Sequence, residues 1–176
     1  MINYKKRIPF KKLDDEFAVI SEEIEKLKIP EGFLQFVLYS ISELFANIKE
    51  HSKADRISIE IKIDKDVFLV KVSDDGIGLR KSYLSKGIFP KDDSSAIEFA
   101  LSGLSTKDPK ERGYGLYTIR KFIETLDGTM ELKSGKSLAI IGRNKIQFKK
   151  ILGETKGVNI LLKTKIKKVD FYKIVK

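Results

Sequence analysis

Three short stretches of the chain carry residue types whose spacing could do chemistry. In Glu43-Leu44-Phe45-Ala46-Asn47 a carboxylate precedes a carboxamide by four residues, so on a helix both share one flank. At about 100° per residue, Ser40, Asn47 and His51 fall within or beside the apolar stripe of Phe36, Val37, Leu44 and Ile48. Polar groups at a core edge cost stability unless something satisfies them. Either a neighbouring backbone satisfies Asn47 and Glu43 is merely exposed, or a ligand does. The single histidine reads as a packed or capping residue, because no second histidine could join it on a metal.

The second stretch, Asp74-Asp75-Gly76-Ile77-Gly78, follows a strand-like run. A carboxylate at a strand end can accept hydrogen bonds from an amine such as the adenine N6 group, whereas guanine presents a carbonyl there. The two glycines permit a close backbone approach or a positive φ. An ordinary Asp-Gly turn is the plainer alternative. The third stretch, Gly113-Tyr114-Gly115-Leu116, opens a helical pattern, and free N–H groups at a helix start suit phosphate. Gly135-Lys136-Ser137 imitates a phosphate-binding loop, but the glycine required five residues upstream is Met130, so it reads as a turn.

The elements that must position these groups are partly periodic. A strand is expected at Tyr4–Phe10 and a helix over Leu13–Leu27, broken by Ile29-Pro30-Glu31-Gly32. Phe33 to His51 has strong helical spacing. Arg56–Ile63 and Val67–Ser73 read as a hairpin. From Asp75 to Arg112 the pattern dissolves, apart from a helical piece at Ser95–Leu101. A loose segment of that length inside a domain reads as disorder or as a functional lid, here over residues 79–112. Leu116–Leu126 is helical again, and Thr129–Ser134, Ser137–Ile141, Lys145–Lys150 and Gly157–Lys165 are strand-like. The expected fold is an α+β two-layer sandwich, with helices on one face of a mixed, mostly antiparallel sheet.

Composition narrows the function classes. The 176 residues are 41% hydrophobic, which suits one globular domain and not a disordered chain. No cysteine occurs, excluding disulfides, thiolate metal sites and a cysteine nucleophile. No apolar run is long enough to span a membrane, and the N-terminus is not a secretory signal, so a cytoplasmic protein is expected. The net charge of +10 favours polyanionic partners. Much of it lies in residues 1–12 and 163–176, where lysines keep strand edges soluble. Neither end has the interleaved aromatics of a nucleic-acid platform.

In order and spacing, the three stretches resemble the GHKL superfamily, which includes histidine-kinase catalytic domains, anti-sigma-factor kinases and type II topoisomerase subunits. ELFANIKEHS looks like the N box, DDGIGL like the first glycine box and GYGLYTIRKFIETLDGTMELKS like the second, together covering about residues 33–164 of a single domain, 1–176. The resemblance implies the Bergerat fold, with ATP between the helical layer and a lid. It implies that Asn47 coordinates Mg²⁺ on the ATP phosphates and that Asp74 holds the adenine amine. Gly76 and Gly78 would let the nucleotide approach, Gly113, Gly115 and Leu116 would belong to the phosphate-side turn, and Glu43 would be the general base. Lys107 is the lid cation best placed by charge for a terminal phosphate.

The departures from that pattern shape the functional expectation. Residues 1–32 contain no histidine, so an acceptor on a separate protein is expected. The family's late Gly-Thr is Gly157-Val158 here, which puts that contact in question, and residues 137–152 look like an added hairpin. The expected function is a stand-alone Mg-ATP-dependent ATPase or protein kinase acting on a regulatory partner protein. The alternative is a non-hydrolysing, ATP-gated binding switch resembling an anti-sigma factor. Nucleic-acid binding rests on charge alone. The basic N-terminal strand offers an edge for pairing in a homodimer.

Overall fold

The structure, a computed structural model, describes residues 1–103 and 114–175. Its sheet consists of β1 (Ile2–Pro9), β2 (Arg56–Asp64), β3 (Val67–Asp74), β4 (Thr129–Gly142) and β5 (Lys145–Lys165). The strand order is β1-β2-β3-β5-β4 and every pairing is antiparallel. The alternation in β2 explains the sheet's two faces. Ile57, Ile59, Ile61 and Ile63 are buried while Arg56, Ser58, Lys62 and Asp64 are exposed, as a period of two requires of a half-covered sheet.

The covering layer contains α1 (Leu13–Glu25), α2 (Glu31–Asn47), α3 (Gly78–Leu84), α4 (Asp93–Leu101), α5 (Gly115–Thr125) and α6 (Phe171–Val175). This is the expected two-layer α+β sandwich. Helix α2 starts after Pro30, which cannot donate a backbone hydrogen bond and so suits a helix entry. It buries Phe33, Phe36, Val37, Ile41, Leu44 and Phe45. Phe33, Phe36 and Phe68 meet edge-on at centroid distances of 5.5–5.8 Å, a geometry the ring quadrupoles favour. Phe122 joins Phe36 at 4.9 Å and fixes α5 beside α2.

Three local results differ from the sequence pattern. The segment after Asp74 is not loose throughout, since α3 and α4 occupy Gly78–Leu84 and Asp93–Leu101. Asp92 caps α4 by accepting from the Ser95 N–H at 2.8 Å. The four C-terminal strand-like runs merge into β4 and β5, with register shifts around Ser134, Gly135 and Ser137. At that irregularity Gly135 has φ 58° and lies against the Asp93 carboxylate. Asp93 also accepts from Lys136 N at 2.8 Å, fastening α4 to the strand. Finally, α6 docks on the helical layer through Phe171, which stacks on Phe122 and meets Tyr39 edge-on.

Candidate functional site

A pocket of about 960 Å³, including its open mouth, lies between the end of α2 and the sheet. Helix α2 does not stop at Asn47 but widens into a π-turn over Ile48–Ser52, ending at Lys53 with φ 51°. That turn places Asn47, His51 and Ser52 together on the pocket wall. Such π-bulges recur at functional sites because they re-aim side chains without ending a helix. The Ser52 hydroxyl returns to the Ile48 carbonyl at 2.8 Å, and the Ser52 carbonyl accepts from Ile77 N at 2.8 Å. Helix α2 is thereby joined directly to the turn that follows β3.

Asp74 ends β3, 7% exposed, on the pocket wall. Its Oδ1 accepts from Gly76 N at 2.9 Å and its Oδ2 from Val158 N at 3.2 Å. Burial pushes its carboxyl above the usual carboxylate range, and these two N–H donors pull it partly back. Two glycines make the arrangement possible. A Cβ on Gly76 would collide with the Ser52 carbonyl, and one on Gly157, at φ 68°, would collide with the Asp74 backbone. Asp75 faces away and accepts from Asp55 N and Arg56 N, both at 2.9 Å. Those bonds, Arg56 first, hold its carboxyl below its ordinary value.

On the α2 side of the pocket, Asn47 Nδ2 is buried with no hydrogen-bond partner among the described residues. Ser40, fully buried one helical flank away, likewise has an unpartnered hydroxyl. Glu43 lies so close to Gly115, the first residue of α5, that any side chain there would strike its carboxylate. Glu43, Asn47, Asp74, Gly78, Gly115 and Leu116 all line the one pocket. Gly76 instead lines an adjoining hollow with Lys81 and Lys156. Gly78 has φ 77° and faces the Ser134 hydroxyl. His51 is part of the wall, with its Nε2 3.5 Å from a Glu50 oxygen. Lys107 and Gly113 lie outside the described residues.

A sequence profile of the histidine kinase-, DNA gyrase B- and HSP90-like ATPases matches residues 35–155. The chain belongs to this ATPase family. ATP binding follows from that membership. The ATPase-family domain is also 33% identical over 110 residues to "Chemotaxis protein CheA" of Borreliella burgdorferi, an alignment covering 54% of this chain and 13% of that protein. The chain therefore corresponds to a small part of this relative.

Four contacts of the ATPase-family pocket escaped the sequence reading. The Ser52 carbonyl and the Val158 N–H are backbone groups, and no side-chain type announces them. Ser134 accepts from Leu79 N at 2.9 Å and donates to the Gly157 carbonyl at 3.3 Å, tying α3 to β5. Tyr83 of α3 is 4% exposed and lines the pocket, and burial pushes its phenol upward. Its place in a non-periodic stretch concealed it. Gly157 did carry a signal, because an isolated glycine before an apolar strand run marks a close backbone approach.

Proposed function

We propose that the chain binds Mg-ATP in this pocket and uses it for hydrolysis or for phosphoryl transfer to a partner protein. The observation that carries the reading is a buried carboxylate, Asp74, and an Asn47 Nδ2 buried without a partner among the described residues, lining one pocket with Glu43 a helical turn before Asn47 on α2. Asp74 accepts from the adenine N6 amine with the oxygen lone pairs that Gly76 and Val158 leave unused. Guanine would set a carbonyl against that carboxylate, so GTP binds poorly. Gly78, Gly76 and Leu116 shape the walls around the nucleotide.

The residues present fit a magnesium ion. Mg²⁺ retains several waters and takes only one or two protein ligands beside the phosphates, so Asn47 Oδ1 can suffice. Among the described residues no cluster of three or more His, Asp or Glu forms a competing metal cage. When bound, the ion neutralises phosphate charge and polarises the terminal phosphoryl group. Glu43 takes the proton of an attacking water, or orients and deprotonates an acceptor group. The N–H groups at the start of α5, beside Gly115, face the phosphates. Lys107 and Gly113 are proposed for the terminal phosphate and the lid backbone.

The only histidine, His51, is part of the pocket wall, so a histidine acceptor would lie outside these residues. A cytoplasmic setting, where ATP is available, belongs to the same reading. The test is phosphate release from Mg-ATP by the wild type and by Glu43→Ala. Release abolished by the substitution supports hydrolysis through Glu43, and undiminished release removes Glu43 from the chemistry. Bound ATP without release directs the search to a partner-dependent transfer.

One observation favours a second reading, an ATP-gated partner switch. Tyr83 of α3 lines the pocket, and α4 is pinned to β4 by Asp93 and by a 2.8 Å contact between the Ser94 and Ser137 hydroxyls. A nucleotide touching α3 thus acts on a helical pair seated on the sheet. Equal partner affinity with ATP, with ADP and without nucleotide would exclude this reading.

A further inference from the structure

Strand β5 is much longer than its neighbour β3. Its residues 159–165 pair with β3, but the stretch 145–150 pairs only with β4, across the turn at Arg143-Asn144. Residues 154–157 border α3 through the hollow lined by Ile77 and Lys81. That leaves 145–153 as an edge with no strand beside it among the described residues. Every second residue of such an edge directs its N–H and C=O away from the paired strand.

On this edge Lys145 and Lys149 share one face, and Phe148 lies on the other. Phe148 is 41% exposed and Leu152 is fully exposed, while Lys145, Lys149 and Lys150 make no ion pair among the described residues. No acidic residue occurs from 145 to 153. The other basic edge differs. On β1, Lys6 is bound to the buried Glu16 at 2.9 Å and Lys5 lies 4.0 Å from Glu60. Strand β4, the remaining edge, exposes no large apolar side chain.

We propose that residues 145–153 of β5 form a docking edge for an extended, acidic segment of a partner protein, which adds to the sheet as a strand. Main-chain hydrogen bonds would supply attachment, and alternate side chains the selectivity. Acidic residues on one face of the incoming strand would meet Lys145 and Lys149, and apolar residues on its other face would cover Phe148 and Leu152. A second copy of this chain is disfavoured. Antiparallel self-pairing centred on Lys149 sets lysine directly against lysine, and like charges opposed across strands destabilise.

The test uses two blocked seven-residue peptides, one alternating Val with Glu and one alternating Val with Lys, added to isotope-labelled full chain without nucleotide. The expected result is slowed amide exchange at alternate residues within 146–152 with the Glu peptide alone. Its affinity should fall at least tenfold between 50 and 500 mM salt, and similarly in Lys145→Glu/Lys149→Glu. Lys145→Gln/Lys149→Gln, at unchanged melting temperature, should weaken binding at least threefold and guards against a folding defect. No protection with the Glu peptide, or equal binding of the Lys peptide, overturns the proposal. So does peptide-free protection at 146–152 that grows with protein concentration, which would assign the edge to a second copy. Because nucleotide is absent, these outcomes leave the ATP reading untouched.

Discussion

The two sides of the pocket are built on opposite principles. Around Asp74 each carboxylate oxygen already has a backbone N–H, at 2.9 and 3.2 Å, and the adjoining turn is bonded to Ser52. Around Asn47 a buried amide has no partner among the described residues. The first side is set before any ligand arrives, and its geometry needs no rearrangement. The second holds a polar group whose desolvation costs about 1–3 kcal/mol until something bonds to it. On the proposed reading, the Asp74 side is set in advance for the base, whereas the Asn47 Nδ2 donor gains a partner only from what binds there.

The largest effect should come from spoiling the rigid side. Gly157→Ala forces a side chain onto a backbone at φ 68° and into the Asp74 main chain. Left-handed strain alone costs about 1–2 kcal/mol, so thermal unfolding should drop by several degrees. ATP affinity measured calorimetrically should fall with it. An unchanged melting temperature would show that the turn can yield, removing the contrast.

Next in size is Asp74→Asn, which should weaken ATP binding by about tenfold to 100-fold, because a charge-assisted hydrogen bond contributes roughly 1.5–3 kcal/mol. Unchanged affinity in a titration would take Asp74 out of the site. Asn47→Ala should do something different in kind. It should weaken binding about tenfold with Mg²⁺ and less in EDTA, while stability stays within about 0.5 kcal/mol or improves, since an unpaired buried Nδ2 donor is lost. Equal losses with and without Mg²⁺ would contradict the metal role.

The smallest effect concerns pH. The Asp74 carboxyl is raised in the folded protein, so the folded state binds that proton more tightly than the unfolded chain does. Its contribution to stability is therefore greatest at low pH and declines as pH rises from about 4 through the raised value. Asn cannot titrate. The melting temperature of Asp74→Asn minus that of the wild type should increase across this window, and a flat difference would show that the N–H donors fully offset burial.

What could be read from the sequence follows from how the information is stored. The isoleucines of β2 and the phenylalanines of α2 repeat at their element's own period, so both elements and the buried face were legible. Glu43, Asn47 and Asp74 stood out by side-chain type, and the structure brings all three to the wall of one pocket. Helix α3 was not legible, since Gly78–Leu84 is too short to display a period. The supports of Asp74 were legible only at Gly157-Val158, where the family's Gly-Thr is replaced, because any residue but proline could supply the N–H of Val158. Strands β4 and β5 read as interrupted in the sequence because Gly135 and Gly153 break the apolar alternation, although the chain remains extended through both.

The π-turn at Ile48–Ser52 also acts as a gauge of length. An α-turn spans 3.6 residues and a π-turn closes over one residue more. Deleting any one residue between Asn47 and Ser52 would let the helix close normally, rotating Ser52 by about 100° and carrying its carbonyl away from Ile77. Helix α2 and the turn after β3 would lose their direct hydrogen bond with every chemical residue still in place. Substitutions of the exposed Lys49 and Glu50 should be tolerated where that deletion is not, so this part of the molecule constrains the count of residues more tightly than their identity.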